Sequence, residues 1–168
     1  IADARAVLGM LQFGPPITIV GNSLGSWIAW LVAQDFPIVE ELVLIAPAFN
    51  MMGERAHVIP KERLHDWHTA GWMPWDDDPL HKDWPISWKW VEESEAYWAK
   101  TFDVVRDVKT TILHGLEDTV IPPEGSRRFA EELFRRNPDF PLDLRLIPGD
   151  HRLSSPEHLE LFRRLVMR

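Results

Sequence analysis

Three short stretches of this chain carry side chains that could share one covalent chemistry. The first is Gly21-Asn22-Ser23-Leu24-Gly25, a G-x-S-x-G pattern that follows the β-branched run at 17–20 and leads straight into an apolar-periodic segment. The second is His114-Gly115-Leu116-Glu117-Asp118, and the third is Gly149-Asp150-His151. A serine hydroxyl is a poor nucleophile until a base takes its proton and a third group orients that base. Ser23, His151 and Asp118 are of the types those roles need, and together they would perform acyl transfer. A turn as tight as 21–25 should hold Ser23 in a strained backbone conformation with its hydroxyl presented. Glycines are expected on both sides because a Cβ there would collide with the neighbouring strand and helix. The N–H of Leu24, at the start of the following helix, would point at developing negative charge, as an oxyanion site requires.

The residues alone leave rivals for two roles. Glu117 adjoins Asp118, and a slip of one residue exchanges them. Asp150 neighbours the histidine, but successive side chains point apart, which makes it a poor orienter. Of the seven histidines, His57, His65, His68 and His81 fall within 50–105, His158 lies in the last helix and His114 ends a strand. His114 is expected to support the acid loop through hydrogen bonds. Only His151 follows the last strand on a turn, behind Gly149. His65, Asp66 and His68, with His57 nearby, match no metal-ligand motif of known spacing. There is no glycine-rich phosphate loop either, so neither a metal nor a cofactor is expected.

Those residues need a scaffold that brings strand ends together. Residues 2–11 are rich in helix formers, with Asp3 in the first turn and Gly14-Pro15-Pro16 as a stop. Residues 17–20 read as a strand, and 24–36 as a helix with apolar positions at spacings of three and four that ends before Pro37. Further strands are expected at 41–46, 110–113 and 142–147. Helices are expected at 124–136 and 156–166, the last with Ser155 as its cap and Pro156 in its first turn. Strands alternating with helices imply an α/β fold with a mostly parallel sheet and helices on both faces. The whole of 1–168 reads as one domain, interrupted at 50–105 by a helical insertion. That stretch shows no convincing strand, is too long for a plain crossover, and holds seven of the nine tryptophans. Helices are expected there at 60–69 and 87–101, joined by a turn-rich 72–85. The indoles would glue the insertion to the body, or line an apolar substrate pocket under a lid, with Trp72, Trp75 and Trp88 as lining residues and Trp27 behind the elbow.

Composition narrows the class. The 168 residues are 45% hydrophobic and 26% charged, with a net charge of −8, which disfavours nucleic acid and anionic membrane surfaces as partners. The chain has no cysteine, so thiolate chemistry, disulfides and cysteine-bound zinc are excluded, and a reducing, cytoplasmic compartment is expected. No apolar run reaches the roughly 18 to 20 residues of a membrane span, and the first residues lack the features of a signal peptide.

With GNSLGSW at 21–27, HGLEDTVIPPEGS at 114–126 and GDHRL at 149–153, the chain resembles the α/β-hydrolase superfamily. Within it, the chain is similar to the small serine hydrolases related to the mitochondrial acyl-glucuronide esterase and palmitoyl-protein thioesterase. The resemblance implies the C-terminal part of a three-layer sandwich bearing a lid. It implies Ser23 as nucleophile, Asp118 as acid, His151 as base and the Leu24 N–H as one oxyanion donor. It also implies small-molecule acyl esters or thioesters as substrates, with no cofactor. The departure from the family lies before Ile17, where one helix stands in place of several strands and of the loop that supplies the second oxyanion donor. An N-terminal segment or a partner chain is therefore expected to complete the sheet, whose bare edge would otherwise invite aggregation. Three other readings remain open: a binding or scaffold protein that keeps the fold, a carbon–carbon bond hydrolase, and a serine peptidase. A Ser23–His151 separation beyond about 4 Å would favour the non-catalytic one.

Overall fold

The computed structural model describes residues 1–11, 13–75, 84–103 and 105–167. In chain order these form α1 (Ala2–Leu11), β1 (Ile17–Asn22), α2 (Leu24–Ala33), β2 (Val39–Ile45), α3 (Met51–Val58), α4 (Lys61–Ala70), β3 (Trp72–Pro74), β4 (Pro85–Ser87), α5 (Lys89–Lys100), β5 (Lys109–Gly115), α6 (Glu124–Arg136), β6 (Leu142–Ile147) and α7 (Pro156–Val166). They divide into two compact units, one of 1–49 with 104–168 and the other of 50–103. No helix among the described residues is long and apolar enough to cross a membrane.

The first unit is a three-layer α/β sandwich around a four-stranded parallel sheet of order β1-β2-β5-β6. The inner strands read as apolar runs because both of their faces are covered: β2 is buried from Leu42 to Ile45 and β5 from Thr110 to Gly115. On one face Val43, Ile45 and Leu113 pack with Leu153 and with Leu161, Phe162 and Leu165 of α7. The opposite face receives Leu42, Leu44 and Ile112 by strand alternation. It is covered by α2 and α6, where the Trp30 ring meets Phe129 edge-on at 4.9 Å and Phe129 stacks on Phe49 at 4.0 Å. Parallel pairing keeps the strands' carboxyl ends together: Asn22 sits opposite Ile45, Ile45 opposite Leu113, and Gly115 opposite Ile147. Residues that follow these ends therefore meet above one edge of the sheet.

Helix α2 stops at Ala33, three residues short of the extent that its periodicity suggested. The reason is a distant arginine. Arg106 donates to the carbonyls of Ala33, Phe36, Pro37 and Val39, and its own N–H bonds the Gln34 side chain at 2.8 Å. The guanidinium satisfies the orphan carbonyl of Ala33 at the helix end, complements the helix dipole and holds the carbonyls of the segment that follows. Arg106→Ala is expected to lower stability by about 2 kcal/mol in urea denaturation. Arg106→Lys should recover less than half of that, since one ammonium cannot reach so many fixed acceptors.

The second unit has its own small core of Met52, Trp67, Met73, Ile86 and Val91. The Trp67 indole N–H donates to the Ile86 carbonyl at 3.0 Å, and the Trp88 ring meets Trp67 and His68 edge-on. Helices α4 and α5 fall where the sequence suggested, but α3 and the antiparallel β3–β4 pair did not show there. Each of those strands has three residues, too few for an alternation to register, and Pro74 sits opposite Pro85. His81 and most of the expected turn-rich link lie outside the described residues.

Candidate active site

Ser23 leaves β1 with φ 52° and ψ −124°, a conformation that side-chain-bearing residues seldom adopt. Its backbone is pinned to the end of β2: its N–H donates to the Ile45 carbonyl at 2.9 Å, and its carbonyl accepts from Ser26 and Ala48. Ser26 adds a second tie. Its buried hydroxyl donates to the Ile45 carbonyl at 3.1 Å and accepts from the Ile45 N–H at 3.2 Å. Gly21 is required by space, since a Cβ there would lie 2.6 Å from Ser26 Cα and 2.7 Å from the Gly25 carbonyl oxygen. Gly25 departs from expectation: a Cβ there meets nothing within 4 Å. Only one of the flanking glycines is therefore held by packing within the described residues.

Serine at a helix N-cap normally spends its hydroxyl on the helix. Ser23 precedes α2 but makes no side-chain cap. Its Oγ lies 3.2 Å from Nε2 of His151 instead, and His151 Nδ1 lies 2.7 Å from Oδ2 of Asp118. The Asp118 carboxylate can only accept, so Nδ1 carries the proton and Nε2 offers its lone pair to the serine hydroxyl. The Ser23–His151 separation of 3.2 Å is shorter than the roughly 4 Å beyond which a non-catalytic relic of the site would be favoured. The Leu24 N–H belongs to the first turn of α2, whose N–H groups have no acceptor within the helix.

Bringing these residues together takes some construction, because β1 and β6 are separated by two strands, about 14 Å at normal spacing. The loop after β6 spans that distance by turning sharply. Gly149 has φ 137°, where a Cβ would strike His158 and Leu153, and Leu153 has φ 45° with its side chain buried in the core. The loop is also laced to the one after β5. Leu116 N–H donates to the Ile147 carbonyl at 2.8 Å, Glu117 N–H donates to the Gly149 carbonyl at 3.0 Å, and Gly149 N–H donates back to the Glu117 carboxylate. This separates the rival acids. Glu117 is tied to backbone, Asp150 accepts from the N–H groups of Arg152 and Leu153, and Asp118 alone of the three meets His151.

A second hydroxyl–imidazole–carboxylate chain shares the same acid: His114 supports the acid loop through hydrogen bonds, as the sequence suggested, and Ser126 is the member the sequence did not mark. His114 Nδ1 lies 2.7 Å from Ser126 Oγ, and its Nε2 lies 3.2 Å from Asp118 Oδ2 and 2.9 Å from the Ile121 carbonyl. Ser126 and His114 are both 0% exposed, whereas the His151 side chain retains 19% exposure and Ser23 is half-buried. No substrate carbonyl can reach Ser126 without opening the core. Ser126 stands twelve residues from His114 on another element, a relation that no local pattern in the sequence marks.

The tryptophans expected to line a pocket fall into different places. Trp27 is a buried residue of α2, while Trp72, Trp75 and Trp88 belong to the 50–103 unit, where Trp72 is 56% exposed. Among the described residues no three histidine or carboxylate side chains converge on a metal-sized site.

A family model described as the alpha/beta hydrolase family matches residues 1–164. The chain is 26% identical over 161 residues to the mitochondrial palmitoyl-protein thioesterase ABHD10 of Mus musculus, covering 95% of this chain and 53% of that protein. The Homo sapiens counterpart is 23% identical over 164 residues, covering 95% of this chain and 51% of its own length. The chain thus spans about half the length of the curated relatives it matches. Among solved structures, the mouse alpha/beta hydrolase domain-containing protein 10 superposes with a TM-score of 0.71 at 21% identity, over 97% of this chain and 66% of that one. A hydrolase from Agrobacterium vitis S4 superposes with a TM-score of 0.79 at 23% identity, over 98% of this chain and 65% of that one. These likenesses establish the fold.

Proposed function

Because this chain belongs to the alpha/beta hydrolase family, we propose that it hydrolyses carboxylic esters or thioesters of apolar acyl groups through an acyl-enzyme on Ser23. The observation that carries the reading is the Ser23–His151–Asp118 relay, 3.2 Å and 2.7 Å between its members, with the serine held at positive φ and its hydroxyl withheld from the helix. His151 Nε2 takes the Ser23 proton as Oγ bonds to the acyl carbon. The carbonyl oxygen becomes an oxyanion facing the Leu24 N–H. His151 then returns the proton to the departing alcohol or thiol, and the bond to that group breaks. Water, activated by the same imidazole, cleaves the acyl-enzyme and restores Ser23.

One oxyanion donor is half of the usual pair, and a missing donor costs about 3 kcal/mol of transition-state stabilisation. We assign the second donor to a further strand, from the rest of the polypeptide or from a partner chain, that pairs with β1. In support, β1 pairs with β2 alone among the described residues, and Val20 is 48% exposed on it. A groove of about 480 Å³ runs between α1, β1 and α2, where Val7, Leu11, Ile19 and Ile28 give it an apolar lining. The apolar character of the acyl group is inferred from the thioesterase relatives, whose names specify a palmitoyl group. A cytoplasmic location is part of the proposal, on the absence of cysteine from all 168 residues; the curated relatives carry a mitochondrial location in their names.

The test is turnover by the full-length protein of matched oxygen and sulfur esters with acyl chains of increasing length, alongside a peptide and a vinylogous 1,5-diketone. Activity that rises with acyl length on the esters or thioesters is the expected result. Faster cleavage of the peptide or of the diketone's carbon–carbon bond would reassign the leaving group.

A further inference from the structure

Asp118 receives more hydrogen bonds than orienting one histidine requires. Its Oδ1 accepts the N–H groups of Val120 and Ile121 at 2.9 Å and 2.8 Å, and its Oδ2 accepts from His151 and also from His114. The first two donors ride on the same surface loop as the carboxylate, where Leu116 and Val120 are exposed. They move with that loop and cannot fix it relative to His151. His114 differs, because it lies on β5, fully buried in the sheet.

We propose that His114 is a positioning residue that ties the Asp118 carboxylate to the sheet and sets the plane in which it meets His151. The inference rests on the reading of Ser23, His151 and Asp118 given above. Its Nε2 faces two groups that can only accept, the Asp118 carboxylate at 3.2 Å and the Ile121 carbonyl at 2.9 Å, so Nε2 bears the hydrogen. Nδ1 must then accept, and the Ser126 hydroxyl, 2.7 Å away, is the donor. Ser126 thus fixes the tautomer, His114 fixes Oδ2, and Asp118 fixes His151. The Ile121 carbonyl, held by the same Nε2–H, anchors the far end of the acid loop to the strand it left. Ser126 and His114 form a relay without access to substrate, and its product is the orientation of a carboxylate.

Two isosteres separate the bonds of His114. His114→Gln puts an amide nitrogen as many bonds from Cβ as Nε2, so it keeps a donor for Asp118 and loses the partner of Ser126. His114→Asn puts its amide at the depth of Nδ1, keeping an acceptor for Ser126 and losing the bond to Asp118. Each variant of the full-length protein is titrated with a fluorophosphonate, so that kcat is counted per reactive Ser23 rather than per mole of protein. His114→Asn is expected to lose about 10- to 100-fold in kcat with KM unchanged, because a carboxylate misplaced by less than an ångström degrades the base it orients. His114→Gln should stay within about threefold of the parent. In an Asp118→Asn background, His114→Asn should have no further effect on kcat. Should the variants fold poorly, nitrogen-15 spectra of the histidines in the parent protein should report His114 as the Nε2–H tautomer. Parent-like kcat in His114→Asn, equal losses in both isosteres, or an Nδ1–H tautomer would overturn the inference alone. Failure of the parent to label at Ser23 would overturn the reading beneath it.

Discussion

Replacing Ser23 with alanine should abolish ester turnover, by about 10⁴-fold or more in kcat, because the atom that bonds the acyl carbon is gone while the base and its orienter remain. The fold should survive, since the Ser23 side chain caps nothing and, among the described residues, its hydrogen-bond partner is His151. Alanine inherits the backbone strain at φ 52°. Glycine does not, and a residue held in such a region costs of order 1–3 kcal/mol. After the entropy that glycine loses on folding, Ser23→Gly should still be about 1 kcal/mol more stable than Ser23→Ala, a rise in melting temperature of roughly 2–4 °C. The pair of variants therefore measures something that activity alone does not. A serine placed there for an ordinary turn would show no such gain, because an ordinary turn would have selected glycine or relaxed. Equal melting temperatures, or appreciable turnover by Ser23→Ala, would count against the elbow.

Asp118→Asn should cost about as much activity by a different route. An asparagine of the same shape must set its amide nitrogen against either Oδ1's partners or Oδ2's, and all four of those partners are donors. With the carboxamide oxygen kept on Val120 and Ile121, the NH₂ group faces the N–H groups of His151 and His114. The His151 ring then turns over to its other tautomer and presents a protonated Nε2 to Ser23, which can no longer take the serine proton. A loss of about 10⁴ in kcat is expected for such a tautomer exchange. Crowded donors in the interior should also lower stability by about 1–3 kcal/mol, read from urea denaturation. Glu117→Gln offers the contrast. Among the described residues its carboxylate accepts from the Gly149 N–H and not from His151, so its effect on kcat should be far smaller than that of Asp118→Asn.

Much of this arrangement is legible in the sequence. Helices α1, α6 and α7 and strand β6 begin and end where periodicity and caps put them. Ser155 does accept the His158 N–H, with Pro156 opening the helix after it. Those elements are amphipathic, or half-covered, along their whole length, so pattern and structure coincide. The sequence order of Ser23, Asp118 and His151 was readable because a parallel sheet brings everything that follows its strands to one edge. What the sequence does not show depends on contacts between residues distant along the chain. Arg106 ends α2 from more than seventy residues away. Glu117 and Asp118 are chemically alike in a string of letters, and only the lacing of one loop to Gly149 tells them apart. Gly25 has no packing reason among the described residues, although the motif treats it like Gly21. Nothing in the sequence assigns Ser126 a role, and its worth lies in the ring nitrogen it faces.

The central claim is that Ser23 is the nucleophile, and two serines within one carboxylate's network make it directly testable. The full-length protein would be treated with a fluorophosphonate probe, digested, and mapped by mass spectrometry. A single adduct is predicted on the peptide carrying Ser23, lost in the His151→Ala variant and retained in Ser126→Ala. An adduct on Ser126, or none on Ser23, would contradict the account.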